Sequence, residues 1–441
     1  MNKMIYIYRL LFPLFLLVFS PYYLKRMIRR GGYAYKMSYR LGNWPVLKKK
    51  KKGIRRIWIQ AVSVGELASI SKLIRKLFED EKIEIVLSGT TSTGLSLSQK
   101  KYEAQLLAHG PFPLDWLPFS RKAWKRINPD LAIVVDSELW PEHFYQALSR
   151  STPLLVINAR LSERSFSRLR FIGIFRSLLV PPKLRVLAAS EKQKKRWMSL
   201  GLEEQQVQCS GNLKLDADES KQIPLADKLR LRREFGFSEN SLVIAGISTW
   251  KGEEKMLLKT IDSLRSENVD IRLLLIPRHA ERRAEIERNL KNFDFSYHLR
   301  SLCKQAPEDN IIYLADTTGE LSILIQTADL AFLGKTLPPH HGGQNPIEAV
   351  SFGIPLVVGP NHQNFQETCD DMFVNKAALK CREAKEVGFK IKRLAKNKKE
   401  RISFSKASKE WIKKQGSPTS YTLNSIQSLL KPCQPEIPEE N

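Results

Sequence analysis

The residue best placed for chemistry is a carboxylate that follows a buried strand. The sequence predicts a strand at Ile57–Val62, then a turn of small residues, then a helix that begins at Glu66. Open α/β sheets place reactive groups at the carboxyl ends of their strands, so the Glu66 carboxylate is a candidate for a part in the chemistry. The helix dipole also favours acidic residues in the first turn of any helix, and this structural explanation stands beside the catalytic one.

A glycine-rich segment in the second half has the features of a phosphate-binding loop. The segment His340–Glu348, HHGGQNPIE, places two glycines before a predicted helix. Backbone N–H groups can then approach a phosphate, Pro346 suits the first helical position, and Glu348 could bind ribose hydroxyls. An ordinary capped helix after a glycine-rich loop is the alternative. His340 and His341 have no third ligand at a suitable spacing, so we expect no metal.

Two basic residues elsewhere could bind the same phosphate. Arg278 follows a predicted buried strand, and its guanidinium has the fork geometry that matches phosphate oxygens. Lys214 lies at the predicted joint between the two halves of the chain. The structural alternatives are a surface salt bridge for Arg278 and a solvated side chain for Lys214.

The elements that must position these residues are two sets of alternating strands and helices. Such alternation predicts βαβ units and a parallel sheet in each half. The turns after the strands carry the polar residues, as the active sites of these sheets require. We expect two Rossmann-like domains that face each other across a cleft. The predicted buried strands are Ile57–Val62, Ile83–Leu87, Leu131–Val135, Pro153–Ile157 and Arg185–Ala189, then Leu242–Ile247, Ile271–Ile276, Ile311–Leu314, Asp329–Leu333 and Ile354–Val358.

Length and charge restrict the possible functions. A chain of 441 residues predicts two domains. The net charge of +26 indicates anionic partners, although a lysine-rich proteome would give the same balance. The sequence has no RRM, KH, zinc-finger or basic-zipper pattern, so we expect a membrane surface or a phosphorylated substrate and no nucleic acid. The five cysteines are scattered, which fits a reducing compartment.

The N-terminus predicts a membrane anchor in residues 1–24. The stretch Met4–Leu24 is mostly apolar and close to the roughly 20 residues that cross a bilayer. Basic residues follow it, including the run Lys48–Lys52, and predict that the soluble body lies on the cytoplasmic side. Because Arg9 and Pro13 weaken a deep span, an interfacial position is the alternative. A cleaved signal peptide is the other alternative, but no cleavage site of small residues follows the apolar stretch.

Taken together in this order, the motifs resemble those of bacterial Kdo transferases, the 3-deoxy-D-manno-octulosonic acid transferases of lipid A assembly. One such motif would be weak, but this many in one order is highly specific. The resemblance runs from about Tyr39 to Glu367. The motifs are AVSVGE at Ala61–Glu66, SGTTSTG at Ser88–Gly94, SELWP at Ser137–Pro141, NARLSERS at Asn158–Ser165, GNLKLD at Gly211–Asp216, STWKGEE at Ser248–Glu254, PRH at Pro277–His279, DTTGEL at Asp316–Leu321, GGQNPIE at Gly342–Glu348 and GPNHQNF at Gly359–Phe365.

The resemblance implies an inverting glycosyltransferase of GT-B fold. Its donor would be CMP-Kdo, and its acceptor a phosphorylated lipid A precursor (lipid IVA). It would work without a metal, at the cytoplasmic face of the bacterial inner membrane. By the resemblance Glu66 is the general base, and Glu138 and Lys214 stabilise the transition state. The implied CMP-binding residues are Pro277, Arg278, Thr318, Gly319, Glu320, Asn345, Pro346, Ile347 and Glu348.

This chain departs from the family pattern at several positions. Gln60 and Gln344 stand where the family usually has histidine, and they cannot titrate near neutral pH. Trp250 and Lys251 replace a His-Glu pair. We expect these changes to affect the donor site and the catalytic rate.

We predict an acceptor-binding domain over residues 25–215 and a CMP-sugar-binding domain over residues 216–430. Residues 431–441, rich in Pro and Glu, are predicted to be a disordered tail. Two alternatives are a GT-B transferase or epimerase that uses UDP-sugars, and a non-catalytic, membrane-bound lipid- or nucleotide-binding protein. Binding of CMP but not UDP separates the first of these from a Kdo transferase.

Overall fold

The computed structural model describes residues 3–30, 35–171, 176–181, 183–216 and 222–430, and the predicted tail at 431–441 lies outside them. The described residues form two compact units. Unit 1 contains those up to Asp216 together with those from Ser417 onward, and unit 2 contains those between, up to Gly416. Each unit has one parallel sheet of seven strands, which confirms the predicted α/β class with two Rossmann-like domains.

In unit 1 the strand order is β3-β2-β1-β4-β5-β6-β7. The strands are β1 Arg55–Gln60, β2 Ile83–Gly89, β3 Ala108–Pro111, β4 Leu131–Val135, β5 Leu154–Ala159, β6 Leu184–Ala188 and β7 Val207–Cys209. The helices are α1 Met4–Arg30, α2 Val64–Ser69, α3 Ser71–Phe78, α4 Ser92–Tyr102, α5 Leu117–Ile127, α6 Pro141–Ser149, α7 Glu163–Phe171, α8 Arg176–Leu179 and α9 Glu191–Ser199.

Unit 2 repeats the pattern with the order β10-β11-β9-β8-β12-β13-β14. Its strands are β8 Leu242–Thr249, β9 Ile271–Pro277, β10 Tyr297–Leu299, β11 Ile312–Leu314, β12 Leu330–Leu333, β13 Leu356–Val358 and β14 Leu379–Lys380. Its helices are α10 Leu225–Glu234, α11 Glu253–Ser266, α12 Arg283–Leu290, α13 Leu321–Leu324, α14 Ile347–Ser351, α15 Gln366–Val374, α16 Ala384–Lys396 and α17 Lys398–Lys414.

Both faces of the unit 1 sheet are covered, because successive residues of a strand point to opposite faces. Along β1, Ile57 and Ile59 enter one hydrophobic cluster, while Trp58 enters the other. Trp58 packs edge-on against Trp124 of α5, with ring centroids 5.2 Å apart. The continuous apolar strands that made the sheet predictable are those buried on both sides.

The C-terminal helix corrects the predicted domain division. Helix α18, Pro418–Leu430, belongs to unit 1 and not to the second domain that we extended to residue 430. Its Ile426 is fully buried in the cluster that holds Leu73 and Leu77 of α3. The backbone N–H of Thr419 donates a 2.7 Å hydrogen bond to the Asp216 carboxylate. Helix α18 therefore belongs to unit 1 because its apolar face is buried against α3, although it follows unit 2 in the chain.

In the part of the chain that the structure describes, α1 is the one helix long and apolar enough to cross a membrane. The apolar window is Met4–Pro21, and only 6% of it is buried. The length and apolar composition of α1 support membrane association. Signal sequences have the same length and composition.

Candidate active site

In unit 1, Glu66 lies in the first turn of α2, just past the carboxyl end of β1. Its Oε2 accepts a 2.6 Å hydrogen bond from the backbone N–H of Val62, and its Oε1 accepts one of 3.0 Å from the hydroxyl of Ser63. Ser63 is also the N-cap of α2, since its Oγ accepts from the Glu66 N–H. The carboxylate is thus held in one position by the strand-to-helix turn.

The environment of Glu66 raises the pKa of its carboxyl group towards neutral pH. The pKa of Glu66 is raised to about 7, mainly by burial and also by the negative charges of Asp136 and Glu138, while the hydrogen bonds from Val62 and Ser63 lower it. An isolated glutamate would be too weak a base at neutral pH, whereas a pKa near the working pH suits proton transfer.

Asp136 is the nearby carboxylate whose negative charge acts on Glu66. It follows β4 with φ of 62°, in the left-handed region that costs a non-glycine residue strain. Its Oδ1 accepts a 2.6 Å hydrogen bond from Nδ2 of Asn158, and its Oδ2 accepts one of 3.0 Å from Nη2 of Arg160. Asn158 lies near the end of β5 and Arg160 directly follows this strand, which pairs with β4. The carboxylate is therefore oriented by its neighbouring strand.

Glu138 lies in the same loop, between β4 and α6. Burial and the charge of Asp136 raise the pKa of its carboxyl group. Two carboxyl groups with raised pKa values, Glu66 and Glu138, thus respond to one neighbouring charge. Such clusters are typical of catalytic sites.

Lys214 lies in a 3₁₀ turn, Leu213–Leu215, that follows the last strand of the sheet. Asn212 caps the turn by accepting a 3.0 Å hydrogen bond from the Lys214 N–H. The side-chain oxygen of Asn158 accepts from the Leu213 N–H at 3.1 Å. Burial and then the charge of Arg160 lower the pKa of Lys214, while Asp136 and Glu66 oppose that effect. Asn158 therefore connects the lysine turn to the Asp136 loop.

The structure brings the three residues predicted to be catalytic into one electrostatically coupled group. Asp136 acts on Glu66, Glu138 and Lys214 alike. The sequence motifs identified these strand ends as polar, but Asp136, Asn158 and Arg160 were not predicted to be site residues. Asp136 directly precedes the SELWP motif, and Asn158 and Arg160 lie in the NARLSERS motif, but their role depends on the adjacency of β1, β4 and β5.

Replacement of Asp136 should move the pH dependence of the reaction. In Asp136→Asn the amide oxygen can still accept from Asn158, but the negative charge beside Glu66 is lost, so the pKa of Glu66 should fall below about 7. A nearby like charge is worth up to about one pH unit at such partly exposed sites. We expect the acidic limb of the kcat/KM profile to shift to lower pH. Asp80→Asn changes a half-buried carboxylate at the amino end of β2 and should leave the profile unchanged, whereas an upward shift in Asp136→Asn would contradict the assignment.

In unit 2, the predicted donor residues follow the strands β9, β11 and β12. Arg278 comes directly after β9, and its backbone N–H donates to the carbonyl of Thr249 at 3.2 Å. Its side chain is exposed. Its position at the end of a central strand leaves the guanidinium accessible to an anionic ligand.

The glycine-rich loop after β12 needs its glycines. Gly342 has φ of 102° and Gly343 has φ of 72°. A Cβ on Gly342 would lie 2.5 Å from Nδ2 of Asn364, and one on Gly343 would lie 3.1 Å from Cα of His362. The backbone N–H of Gly342 donates to Oε1 of Gln363 at 2.9 Å. The loop is therefore packed tightly against the GPNHQNF segment.

The NPIE segment forms a short helix start. Oδ1 of Asn345 accepts a 3.2 Å hydrogen bond from the Ile347 N–H. Pro346 is the N-cap residue, one position before the first helical residue that we predicted it to occupy, and α14 begins at Ile347. The half-buried Glu348 lies in its first turn. Because α14 has only five residues, its dipole is small. An anion at its start would be bound mainly by hydrogen bonds from the backbone N–H groups.

The segment Thr318–Glu320 contains two exposed residues and one glutamate that forms an ion pair. Thr318 and Gly319 are exposed, and Gly319 has φ of 88°. The Glu320 carboxylate instead accepts hydrogen bonds of 2.9 Å and 2.7 Å from the guanidinium of Arg300. Arg300 holds the pKa of Glu320 at about 2. Glu320 thus fixes the loop, while its two neighbours face solvent.

Two glutamates of the STWKGEE motif hold together the loops that follow β8, β9 and β12, although the sequence alone did not distinguish them as site residues. Glu253 is buried and accepts from the backbone N–H groups of four residues in two loops. These donors are Trp250 and Lys335, each at 2.8 Å, Thr336 at 2.9 Å and Leu337 at 3.1 Å. Glu254 is equally buried and binds the guanidinium of Arg282 at 2.8 Å and 3.2 Å.

Trp250, one of the departures from the family pattern, lies among cationic and imidazole side chains. The Nζ of Lys335 lies 4.7 Å from its ring centroid, within cation–π range. The rings of His279 and His340 lie 5.3 Å and 5.4 Å away. His340 Nε2 bonds the carbonyl of Lys251 at 2.8 Å. This aromatic replacement is therefore built into the loops after β8, β9 and β12.

Gln60, another departure, is buried in unit 1 and hydrogen-bonded through both the oxygen and the nitrogen of its amide. Its Oε1 accepts from the Ser88 hydroxyl at 2.7 Å, and its Nε2 donates to Oγ1 of Thr90 at 3.1 Å. The amide therefore joins the ends of β1 and β2, a role that needs no titratable group.

Among the residues that the structure describes, no three His, Cys, Asp or Glu side chains are grouped to hold a metal ion. His340 and His341 follow each other in the chain, but the first is engaged with the Lys251 carbonyl and the Trp250 ring.

Comparison with known proteins decides the family. The family model described as 3-deoxy-D-manno-octulosonic-acid transferase (kdotransferase) matches residues 35–217, and that of glycosyl transferases group 1 matches residues 239–411. The 3-deoxy-D-manno-octulosonic acid transferase of Haemophilus influenzae is 33% identical over 313 residues, which cover 70% of this chain and 72% of the relative. The chain belongs to the Kdo transferase family. It is a glycosyltransferase, and membership of the Kdo transferase family supports Kdo transfer in lipopolysaccharide biosynthesis.

Other relatives agree with this assignment. The 3-deoxy-D-manno-octulosonic acid transferase of Bordetella pertussis is 28% identical over 383 residues, which cover 85% of this chain and 87% of that relative. Among solved structures, the UDP-GlcNAc 2-epimerase of Neisseria meningitidis matches with a TM-score of 0.59 at 13% identity, over 85% of this chain and all of that one. This similarity concerns the fold alone, and it explains why an epimerase was an alternative within the same architecture.

Proposed function

We propose that this Kdo transferase moves Kdo from CMP-Kdo to a phosphorylated lipid A precursor of the lipid IVA type, with Glu66 as general base. The observation that carries the proposal is the carboxylate of Glu66. It lies at the carboxyl end of a central strand, is oriented by Val62 and Ser63, and has a pKa raised to about 7 by burial and by Asp136 and Glu138.

The reaction is an inverting displacement. Glu66 removes the proton from an acceptor sugar hydroxyl as that oxygen forms a bond to the anomeric carbon of Kdo. The bond between this carbon and the phosphate oxygen of CMP breaks, and CMP leaves with the electron pair. The ammonium of Lys214 stabilises developing negative charge, and Glu138 stabilises positive charge on the sugar.

The donor is held by unit 2. In this proposal Arg278 binds the phosphate, and the backbone N–H groups around Thr318 and Gly319 and around Asn345 bind the rest of CMP. Glu348 receives the ribose hydroxyls. The exposed Arg278 and the tightly packed glycine loop support this assignment. Charge stabilisation by side-chain cations makes a metal unnecessary, so we expect full transfer activity when EDTA is added in excess after CMP-Kdo has been formed.

The acceptor is a membrane lipid, and we place the enzyme at the cytoplasmic face of the bacterial inner membrane. The apolar surface of α1 supports this location, since Leu10, Leu14 and Leu17 are all more than half exposed. The charge of +26 favours an anionic surface.

Calorimetric titration tests the donor, and product analysis tests the reaction. We expect CMP to bind and UDP not to bind. With CMP-Kdo generated in situ and a tetraacylated lipid A precursor dispersed in detergent, mass spectrometry should detect the Kdo adduct and count the sugars added. Arg278→Met is the matched donor variant and should weaken CMP binding by about tenfold or more, as expected for loss of a charge-assisted bidentate contact.

Each result separates one part of the proposal. Binding of UDP in preference to CMP would overturn the donor assignment. CMP binding without any Kdo adduct would overturn the acceptor. Loss of activity in EDTA would overturn metal-free transfer.

A further inference from the structure

The beginning of the N-terminal helix is bonded to the helix that follows the Glu138 loop. Arg9 of α1 forms a two-pronged contact with the carboxylate of Glu142, through Nε at 2.7 Å and Nη2 at 3.0 Å. The Glu142 side chain is fully buried. The Arg9 guanidinium also lies over the ring of Tyr145, 4.5 Å from its centroid. Both partners belong to α6, so a residue of the predicted anchor packs on a helix of the catalytic unit.

A second contact reaches the start of α6 through Asp115. The N-cap residue of α6, Trp140, forms no side-chain capping bond. Asp115 supplies the cap from a distant segment, since its carboxylate accepts from the backbone N–H of His143 at 2.9 Å and of Glu142 at 3.3 Å. The hydroxyl of Tyr8 donates to the same carboxylate at 2.7 Å. Tyr8 and Arg9 together thus complete the first turn of α6.

Glu138 lies between two fixed ends. The loop from β4 to α6 has five residues, Asp136 to Trp140. At its first end Asp136 is bonded to Asn158 and Arg160. At its other end Pro141 begins α6, whose first turn depends on Asp115 and on α1. Movement of this turn would carry Glu138 with it, because so short a loop absorbs little displacement.

We propose that Tyr8 and Arg9 are positioning residues, through which the N-terminal helix sets the place of Glu138 in the active site. Attachment to the membrane and alignment of the catalytic loop are then carried by the same helix. This inference rests on the proposed role of Glu138. It predicts that the helix matters even when the acceptor is presented without a membrane.

The test compares Arg9→Met with Arg9→Lys and with a control in full-length enzyme, using detergent-dispersed acceptor. We expect Arg9→Met to lower kcat about tenfold with little change in the KM for CMP-Kdo, and Arg9→Lys to recover part of the loss. The control is Lys76→Met, which removes a cation from the exposed pair with Glu79 in the same unit. Exposed pairs contribute little, so it should behave as wild type.

Hydrogen exchange gives a readout that does not depend on transfer. Deuterium uptake in the peptide that covers residues 136–143 should rise in Arg9→Met and stay at the wild-type level in Lys76→Met. Thermal unfolding confirms that each variant is folded. Wild-type kcat and unchanged uptake in Arg9→Met would overturn the inference. If wild-type enzyme transfers no Kdo, the proposed function fails, and the exchange experiment still decides whether α1 holds the loop.

Discussion

Glu66→Gln should slow Kdo transfer by at least about 100-fold while leaving the protein folded. The amide keeps an oxygen for the Val62 N–H but cannot accept the proton of the acceptor hydroxyl. A general base contributes about 10²- to 10⁴-fold to the rate, and we expect a loss of kcat in that range. The measurement is single-turnover transfer from CMP-Kdo, with product quantified by mass spectrometry.

Stability provides the control for this variant. Because the pKa of Glu66 is raised to about 7 in the folded protein, ionisation of Glu66 makes folding less favourable as the pH rises from about 4.5 through 7. A neutral amide avoids this cost, so Glu66→Gln should melt at the same or a higher temperature than wild type at pH 8, and the difference should vanish near pH 4. The exposed Glu79→Gln should change neither property. Near wild-type kcat in a folded Glu66→Gln would assign the base elsewhere.

Glu253→Ala should have the largest effect in unit 2. The substitution removes the acceptor of four backbone N–H groups, those of Trp250, Lys335, Thr336 and Leu337. Leaving buried donors without an acceptor costs about 1–3 kcal/mol each when water cannot reach them. We expect a loss of roughly 3 kcal/mol or more in the free energy of unfolding, measured by denaturant titration.

The same substitution should weaken CMP binding, since the loops after β8 and β12 are held together by this carboxylate. Glu253→Gln keeps one acceptor oxygen but turns an NH₂ group toward donors, so its stability should lie between those of wild type and Glu253→Ala. Glu239→Ala, at a half-exposed pair, serves as control. Wild-type stability and CMP affinity in Glu253→Ala would show that the loops are held by other contacts.

The interior of each sheet could be predicted from sequence, and its edges could not. The ten predicted strands correspond to β1, β2, β4, β5 and β6 and to β8, β9, β11, β12 and β13. The four that were missed, β3, β7, β10 and β14, are the edge strands of the two sheets. An interior strand of a parallel sheet is buried on both faces and forms a continuous apolar run. The edge strands have two to four residues and include half-buried or exposed ones, so their sequences resemble loops.

The candidate site shows the same division between local and long-range information. Glu66 was predictable because a strand, a small-residue turn and a helix start are all local in sequence. The influence of Asp136 on Glu66 was not, because it depends on β4 pairing with β1. The ion pair between Glu320 and Arg300 likewise joins residues 20 positions apart on different strand ends. The placement of α18 was missed for the same reason, since its apolar face fits either unit by composition.

The return of α18 to unit 1 makes unit 2 an insertion within unit 1. Asp216 and Thr419 are hydrogen-bonded, so the two points where the chain leaves and re-enters unit 1 are adjacent. During synthesis the first unit cannot be completed until the second has been made, because α3 is covered by a helix that begins about 340 residues after it in the chain. A chain that joins Asp216 to Ser417 through a few residues should therefore give unit 1 as one continuous domain. A chain truncated after Asp216 would leave the apolar face of α3 uncovered.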